Sequence, residues 1–254
     1  MATVDILLPG MQFNTDWGLP AFCTVLLVRS DGKNIVVDTA HVGRRVRLEE
    51  RLADFGLKPE NVDTVVMTHA HWDHAQNFDL FPNAPMLLHP KERKYAQKPH
   101  INDWATPQWT GAAMETHKIE EVVEGDEIAK GVTVIEMPGH SPGSIGLLVD
   151  TDDGIAGPTG DALHFASIAL TGKNPLVFWN EQEANDSIKK MVAAADILYP
   201  GHDRPFRLVN GEIQYTESFQ LNITGVTAET EGVTFETPER QVWIMPGIEQ
   251  QSLD

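Results

Sequence analysis

The chain has 254 residues, with 19 Lys plus Arg against 37 Asp plus Glu and a formal net charge of −18 with histidine neutral. That length suits one large domain or two small ones, with a core large enough that no disulfide or metal staple is needed merely to fold. One cysteine, Cys23, excludes an intrachain disulfide framework. No apolar run approaches the ~20 residues of a membrane helix. The acidic balance argues against a nucleic-acid partner, because phosphate binding wants a positive surface. The start Met1-Ala2-Thr3-Val4-Asp5 has no basic leader region, so the expectation is a cytoplasmic protein.

In chain order, Val4 to Leu8 reads as a strand. Phe22 to Val28 and Ile35 to Asp38, separated by the turn Ser30-Asp31-Gly32-Lys33, predict an antiparallel hairpin. Val42 to Phe55 predicts a helix, with Val46, Leu48, Leu52 and Phe55 near helical spacing and Gly56 as its stop. Val62 to Met67 predicts a buried strand. Met86 to His89 predicts another, followed by a helix over Pro90 to Gln97 with proline at its first position. Residues 98–117 read as an irregular aromatic loop, long enough to act as a lid or specificity loop. Strands are predicted over Val132 to Met137, Ile145 to Val149, Ile155 to Gly157 and Ile197 to Tyr199. Asn180 to Ala195 gives the clearest helix, with Asn180 as N-cap and Glu183 three residues on.

The strongest chemical signal is Thr68-His69-Ala70-His71-Trp72-Asp73-His74, directly after a buried strand. In an extended loop, side chains two apart point the same way, so His69 and His71 can face one point. If a helix starts next, Asp73 and His74 project from its first turn, and one loop can feed two adjacent metals. Three more candidates each follow a glycine at a strand-to-loop transition: His140, Asp161 and His202. Glycine permits the sharp turn that aims a ligand into a cleft at a sheet edge. A lone histidine is usually a surface or satisfied core residue. Five histidines and two aspartates so placed are not. Imidazole and carboxylate donors suit zinc, and manganese or iron less selectively.

His69-x-His71-x-Asp73-His74, followed in order by His140, Asp161 and His202, resembles the metallo-β-lactamase superfamily over about residues 4–210. The resemblance implies an α/β fold: an αβ/βα four-layer sandwich of two mixed β-sheets flanked by helices, with the metals at one edge. It implies that His69, His71 and His140 hold the first of two Zn²⁺ ions, that Asp73, His74 and His202 hold the second, and that Asp161 bridges them. The superfamily's zinc β-lactamases usually have Cys or another residue where Asp161 stands, so the aspartate points to the dinuclear hydrolases. Asp38 matches a family position beside the metal loop and is expected to bond its backbone. Ala40 stands where the family usually has Gly. The stretches Asn77 to Ala84 and Ala195 to His202, with Pro205-Phe206-Arg207, are similar to metallo-β-lactamase domain-containing proteins and to acyl-homoserine-lactonase-like hydrolases.

The expected chemistry is hydrolysis of a small lactone, ester or amide by a metal-bridging hydroxide. Asp73 would orient the nucleophile and relay a proton. His164, three residues after Asp161, is placed to donate to the substrate, against an equally simple reading as a rim histidine. Trp72, Trp104, Trp109, Phe165 and Trp179 are candidates for an aromatic substrate wall, with core packing the plainer role for at least half of them. The competing enzyme readings are a thioesterase of the glyoxalase II type and a mononuclear iron persulfide dioxygenase. Thr159-Gly160-Asp161-Ala162-Leu163 is similar to the dioxygenase metal segment, but His164-Phe165-Ala166-Ser167 follows where that family usually has Gly-Arg-Thr-Asp. Flavodiiron proteins have Glu where His71 stands, a β-CASP-type nuclease needs a further domain, and a binding protein that merely kept the fold would have lost ligands.

The domain reading is therefore a catalytic unit over 1–215 and a C-terminal extension over 216–254. Val242 to Met245 in that extension would be an exposed apolar patch if left free, so it is expected to pack on its own subunit or across a homodimer.

Overall fold

A computed structural model of the chain describes residues 1–218, 220–224 and 241–253. The first half runs β1 (Thr3–Leu8), β2 (Met11–Gln12), β3 (Ala21–Phe22), β4 (Val25–Ser30), β5 (Lys33–Val37), α1 (Arg45–Asp54), β6 (Thr64–Val66), β7 (Met86–Leu88), α2 (Pro90–Gln97), α3 (Thr110–Met114) and β8 (Ile119–Glu121). The second half runs β9 (Glu127–Ala129), β10 (Val132–Glu136), β11 (Ile145–Thr151), β12 (Gly154–Gly160), α4 (Ile168–Thr171), β13 (Leu176–Val177), α5 (Glu181–Ala194), β14 (Ile197–Pro200), β15 (Phe206–Val209), β16 (Glu212–Tyr215) and β17 (Trp243–Ile244).

Two mixed sheets result, ordered β1-β4-β5-β6-β7-β8 and β16-β15-β14-β12-β11-β10-β9. The hairpin β4–β5 is antiparallel, pairing Leu27 with Val36, and β5 then runs parallel to β6. Period-two alternation divides the apolar residues between faces. Leu27, Val36 and Val65 point to a core shared with Leu48 and Leu52 of α1. Val28, Ile35, Val37 and Val66 point instead to Val134, Ile145, Leu147 and Val149 of the second sheet. The far face of that sheet packs Ile135 and Leu198 on Ile188 and Met191 of α5. The layers are thus helix, sheet, sheet, helix. Loops after β6, β10, β12 and β14 all carry histidine or aspartate to one end of the sandwich.

Several elements differ from the sequence expectation. The first helix starts at Arg45 after a 3₁₀ turn over Val42–Arg44, and Val46 is 68% exposed. Its buried face rests on Leu48 and Leu52, one helical turn apart. The aromatic loop contains α3, whose Gly111 lies so close to α2 that a Cβ there would sit 2.5 Å from the Ala96 carbonyl oxygen. Strands β8, β9, β15 and β16 escaped the pattern because they lie toward sheet edges with polar, partly exposed residues. Asn180 does cap α5, accepting from the Glu183 backbone N–H at 3.0 Å.

Within the 216–254 segment, residues 219, 225–240 and 254 lie outside the described residues. Its described end packs on its own chain: β17 pairs in parallel with β13, and the Met245 N–H donates to the Val177 carbonyl at 2.9 Å. Met245 is buried in a small cluster with Ala105 and Phe178. Met245→Ala is expected to cost about 2–5 kcal/mol through the lost apolar contacts and the cavity left. Urea unfolding checks this, and an unshifted midpoint would contradict the packing role. Among the described residues, no helix is long and apolar enough to cross a membrane.

Candidate metal centre

The loop after β6 is shaped by backbone constraints around it. Asp38 closes β5 in the left-handed region, at φ 60°, which a non-glycine residue adopts only under local compulsion. The compulsion is visible: its Oδ1 accepts from the Thr68 N–H and its Oδ2 from the Thr68 hydroxyl, both at 2.8 Å. Residues 72–74 then form a turn rather than the first turn of a helix, closed by the His74 and Ala75 N–H groups on the His71 carbonyl at 3.0 and 3.1 Å. The conditional reading of a helix beginning at Asp73 therefore does not hold, yet Asp73 and His74 still reach the cleft.

Each of four imidazoles is anchored at Nδ1 and presents Nε2 inward. His69 Nδ1 faces the Thr68 hydroxyl at 3.0 Å. His74 Nδ1 donates to Asp38 Oδ2 at 2.8 Å. His140 Nδ1 donates to the Leu176 carbonyl at 2.7 Å, and His202 Nδ1 to the Phe22 carbonyl at 3.1 Å. Such outer bonds fix the ring and the tautomer, which is how metal-ligating histidines are usually held. His69 Nε2 is buried without a hydrogen-bond partner. His140 Nε2 and His71 Nδ1 face each other at 3.0 Å. With His140 Nδ1 already donating, a neutral His140 presents a lone pair there.

Donor atoms of His69, His71, His140 and Asp161 lie within 4.8 Å of one another, and so do those of Asp73, His74 and His202. Asp161 touches both groups. Its Oδ1 is 3.2 Å from His74 Nε2 and from His202 Nε2, and its Oδ2 is 3.6 Å from His140 Nε2. His202 Nε2 also lies 3.2 Å from Asp73 Oδ2. The glycine before His202 makes room for this: a Cβ on Gly201 would fall 2.0 Å from Asp161 Oδ1. The donor set fits divalent cations, with imidazole and carboxylate ligands, buried and preorganised.

Electrostatics divides the two groups. Burial pushes His69 well below the usual imidazole range and His71 down to about 3, so both offer lone pairs. Burial opposes protonation of His74 and His202 as well, but Asp161 and Asp73 outweigh it and hold His202 up to about 9. In metal-free protein that proton stabilises the fold fully below about pH 6.5, and the contribution is lost as pH rises through about 9. A cation at His202 must displace the proton, so zinc affinity is expected to rise from about pH 6.5 to 9. Competition with a chelator, corrected for chelator protonation, checks this; a flat profile would contradict it.

The cleft over these donors is narrow, and the space of about 260 Å³ around it includes open solvent. Trp72 and Trp104 line it, together with Leu19, Leu176 and Phe178. Trp104 packs on Phe178 at 5.2 Å between ring centroids, and Phe178 packs on His71 at 4.6 Å. The remaining aromatic candidates lie elsewhere. Trp109 is 57% exposed at the start of α3 and Trp179 turns away to Tyr95, so neither lines the cleft. Phe165 meets His164 edge to face and borders a second, more polar cavity with Asp203 and Tyr215.

His164 is buried, with Nδ1 2.9 Å from Asp161 Oδ2 and Nε2 hydrogen-bonded to the Gln12 side chain. Its donor atoms also group with Asp161 and His202.

Three residues of the site carry no sequence signal. Gln12 lies in a two-residue strand, and Phe178 is overshadowed by Trp179. Glu92 reads as an ordinary acidic residue in the first turn of a helix, yet it is fully buried. Burial raises its carboxyl to about 7, against bonds from Ser141, Ala70 and Gly143 that favour the carboxylate.

The sequence profile of the metallo-beta-lactamase superfamily matches residues 18–202, and the chain belongs to that superfamily. An N-acyl homoserine lactonase from Bacillus cereus is 28% identical over 165 residues, 62% of this chain. The chain spans 62% of that lactonase's own length. Metallo-beta-lactamase domain-containing protein 1 from Xenopus laevis is 28% identical over 190 residues, 72% of each chain. The fold is shared with a crystal structure of B. thuringiensis AiiA that has N-decanoyl-L-homoserine bound at its active site. There the TM-score is 0.63 and the identity 20%, covering 80% of this chain and 92% of that one.

Proposed function

We propose that this chain is a metal-dependent hydrolase with two zinc ions, acting on small lactones, esters or amides. The observation that carries this reading is the Asp161 carboxylate, within 3.2 Å of His74 and His202 on one side and beside His140 on the other. His69, His71 and His140 would hold one cation, Asp73, His74 and His202 the other, and Asp161 both. Manganese or iron would fit the same donors, and zinc suits them best.

Two bound cations supply a water of lowered pKa and polarise a scissile carbonyl. The chain's own residues do the rest. Asp73, bonded to His202, orients the attacking water and accepts its proton. His164 offers a ring nitrogen at the cleft wall, with Gln12 as its present partner, and donates to the substrate oxygen on exchange. Trp72, Trp104, Leu176 and Phe178 form an apolar wall for the remainder of the substrate. An acyl-homoserine lactone has the right parts, a compact ester ring and an apolar tail, and the lactonase relative supports that class. The single buried cysteine fits a reducing compartment, which supports cytoplasmic placement.

The test is a screen of zinc-loaded protein on acyl-homoserine lactones, simple lactones, thioesters and amides. Lactone ring opening is expected, with His164→Ala slowing it about 10²-fold. Thioester cleavage alone would favour the glyoxalase II type. Oxygen uptake with a persulfide and no hydrolysis would overturn the reading in favour of an iron dioxygenase.

A further inference from the structure

We infer that Glu92 is the positioning residue for the His69, His71 and His140 half of the centre, and that it leaves the Asp73, His74 and His202 half untouched. This rests on the two-cation reading above.

Glu92 sits in the first turn of α2 and is 0% exposed. Its Oε1 accepts the Ala70 N–H at 2.9 Å. Its Oε2 accepts the Ser141 hydroxyl at 2.7 Å and the Gly143 N–H at 2.9 Å. Ala70 lies between His69 and His71, and Ser141 follows His140. One carboxylate therefore clamps two loops at points one residue from all three imidazoles. The clamp is built to close range: a Cβ on Gly143 would lie 2.3 Å from the Glu92 backbone nitrogen. Ser141 is held in turn by the Ser144 hydroxyl at 2.7 Å.

The chemistry asks for a carboxylate. Three donors converge on two oxygens, and an amide would turn an NH₂ toward a donor on one side. The acidic group also suits the positive end of α2. The other half of the centre is fixed separately. His74 is anchored on Asp38 and His202 on the Phe22 carbonyl, and no contact from Glu92 reaches either. Glu92 bonds only the loops of the first triad, whereas Asp38 holds His74 directly and His69 through the Thr68 hydroxyl, so the effect of Glu92 is the one confined to a single binding step.

The experiment is a Co²⁺ titration of metal-free full-length chain, followed by absorption and by competition with a chelator. Wild type is expected to bind two ions in resolvable steps, with His140→Ala identifying the step that belongs to the first triad. E92Q is expected to weaken that step about 10–100-fold and leave the other in place. D38N is expected to weaken both steps, since Asp38 bonds His74 and also Thr68, whose hydroxyl faces His69 Nδ1. Thermal unfolding of the metal-free proteins separates misfolding from misplacement. Should E92Q fail to fold, Ser141→Ala removes one of the three donors and is expected to weaken the same step several-fold. Equal weakening of both steps by E92Q, or no change in either, would overturn the inference. Fewer than two ions on wild type would overturn the two-cation reading itself, so the two failures are distinguishable.

Discussion

Asp161→Ala is expected to reduce hydrolysis by at least ~10³-fold, the upper end of what loss of one electrostatic stabiliser costs, and to lower the bound metal from two ions per chain to one. The reasoning is geometric. Asp161 is the group whose oxygens approach both histidine sets, and its oxygens also meet His164 at 2.9 Å. Alanine leaves four imidazoles, those of His74, His140, His164 and His202, facing an apolar methyl. Asp161 is itself held well below the usual carboxylate range: burial opposes ionisation, but His164, His202 and His74 outweigh it. Its loss therefore also weakens the hold on the protons of His74 and His202, which Asp73 continues to favour. Removing one partner from a buried charge cluster costs about 3–5 kcal/mol, so the metal-free variant should unfold at lower denaturant. Metal content and turnover, measured on the same preparation, check the prediction. Full activity with a single metal would contradict the bridging role.

Asp38→Ala carries the second large effect, and it acts at a distance from the substrate. Asp38 accepts from the Thr68 N–H, the Thr68 hydroxyl and His74 Nδ1, each at 2.8 Å, and is 1% exposed. Alanine leaves these donors buried and unsatisfied, at about 1–3 kcal/mol each. It must also adopt φ 60°, which costs more for alanine than for asparagine. A loss of about 3–5 kcal/mol in stability is expected, with a 10–100-fold loss in metal affinity. Asp38→Asn keeps the size and tolerates the backbone, so it should fold better yet still lose affinity at His74. Urea unfolding of both variants and zinc titration of the asparagine one test this. Wild-type affinity in Asp38→Asn would sink the claim.

The sequence made the chemistry of the site more legible than its walls. His69, His71, Asp73 and His74 stand out because four donors crowd one loop, and His140, Asp161 and His202 because each follows a strand and a glycine. Asp38 is recognisable only through the family resemblance of Ile35-Val36-Val37-Asp38-Thr39, since it belongs to no donor cluster in the sequence. Of the five aromatic candidates, Trp109 and Trp179 do not line the cleft, and an aromatic in an irregular loop gives no period from which to read its direction. Phe178, one residue from Trp179, takes the wall position because its N–H pairs with the His140 carbonyl at 3.0 Å and turns its ring onto His71. Glu92 was invisible for a different reason. An acidic residue in the first turn of a helix has an ordinary explanation, and only the tertiary approach of two loops shows its carboxylate to be buried. The edge strand β16 and its neighbour β15 likewise needed β14 to declare themselves.

The most direct test of the account is elemental analysis of untagged protein purified without chelator, paired with lactone turnover on the same sample. About two zinc ions per chain, lost together with activity on chelation and restored on adding zinc, is the predicted result. One iron per chain with no hydrolysis, or full hydrolysis after every metal has been removed, would contradict it.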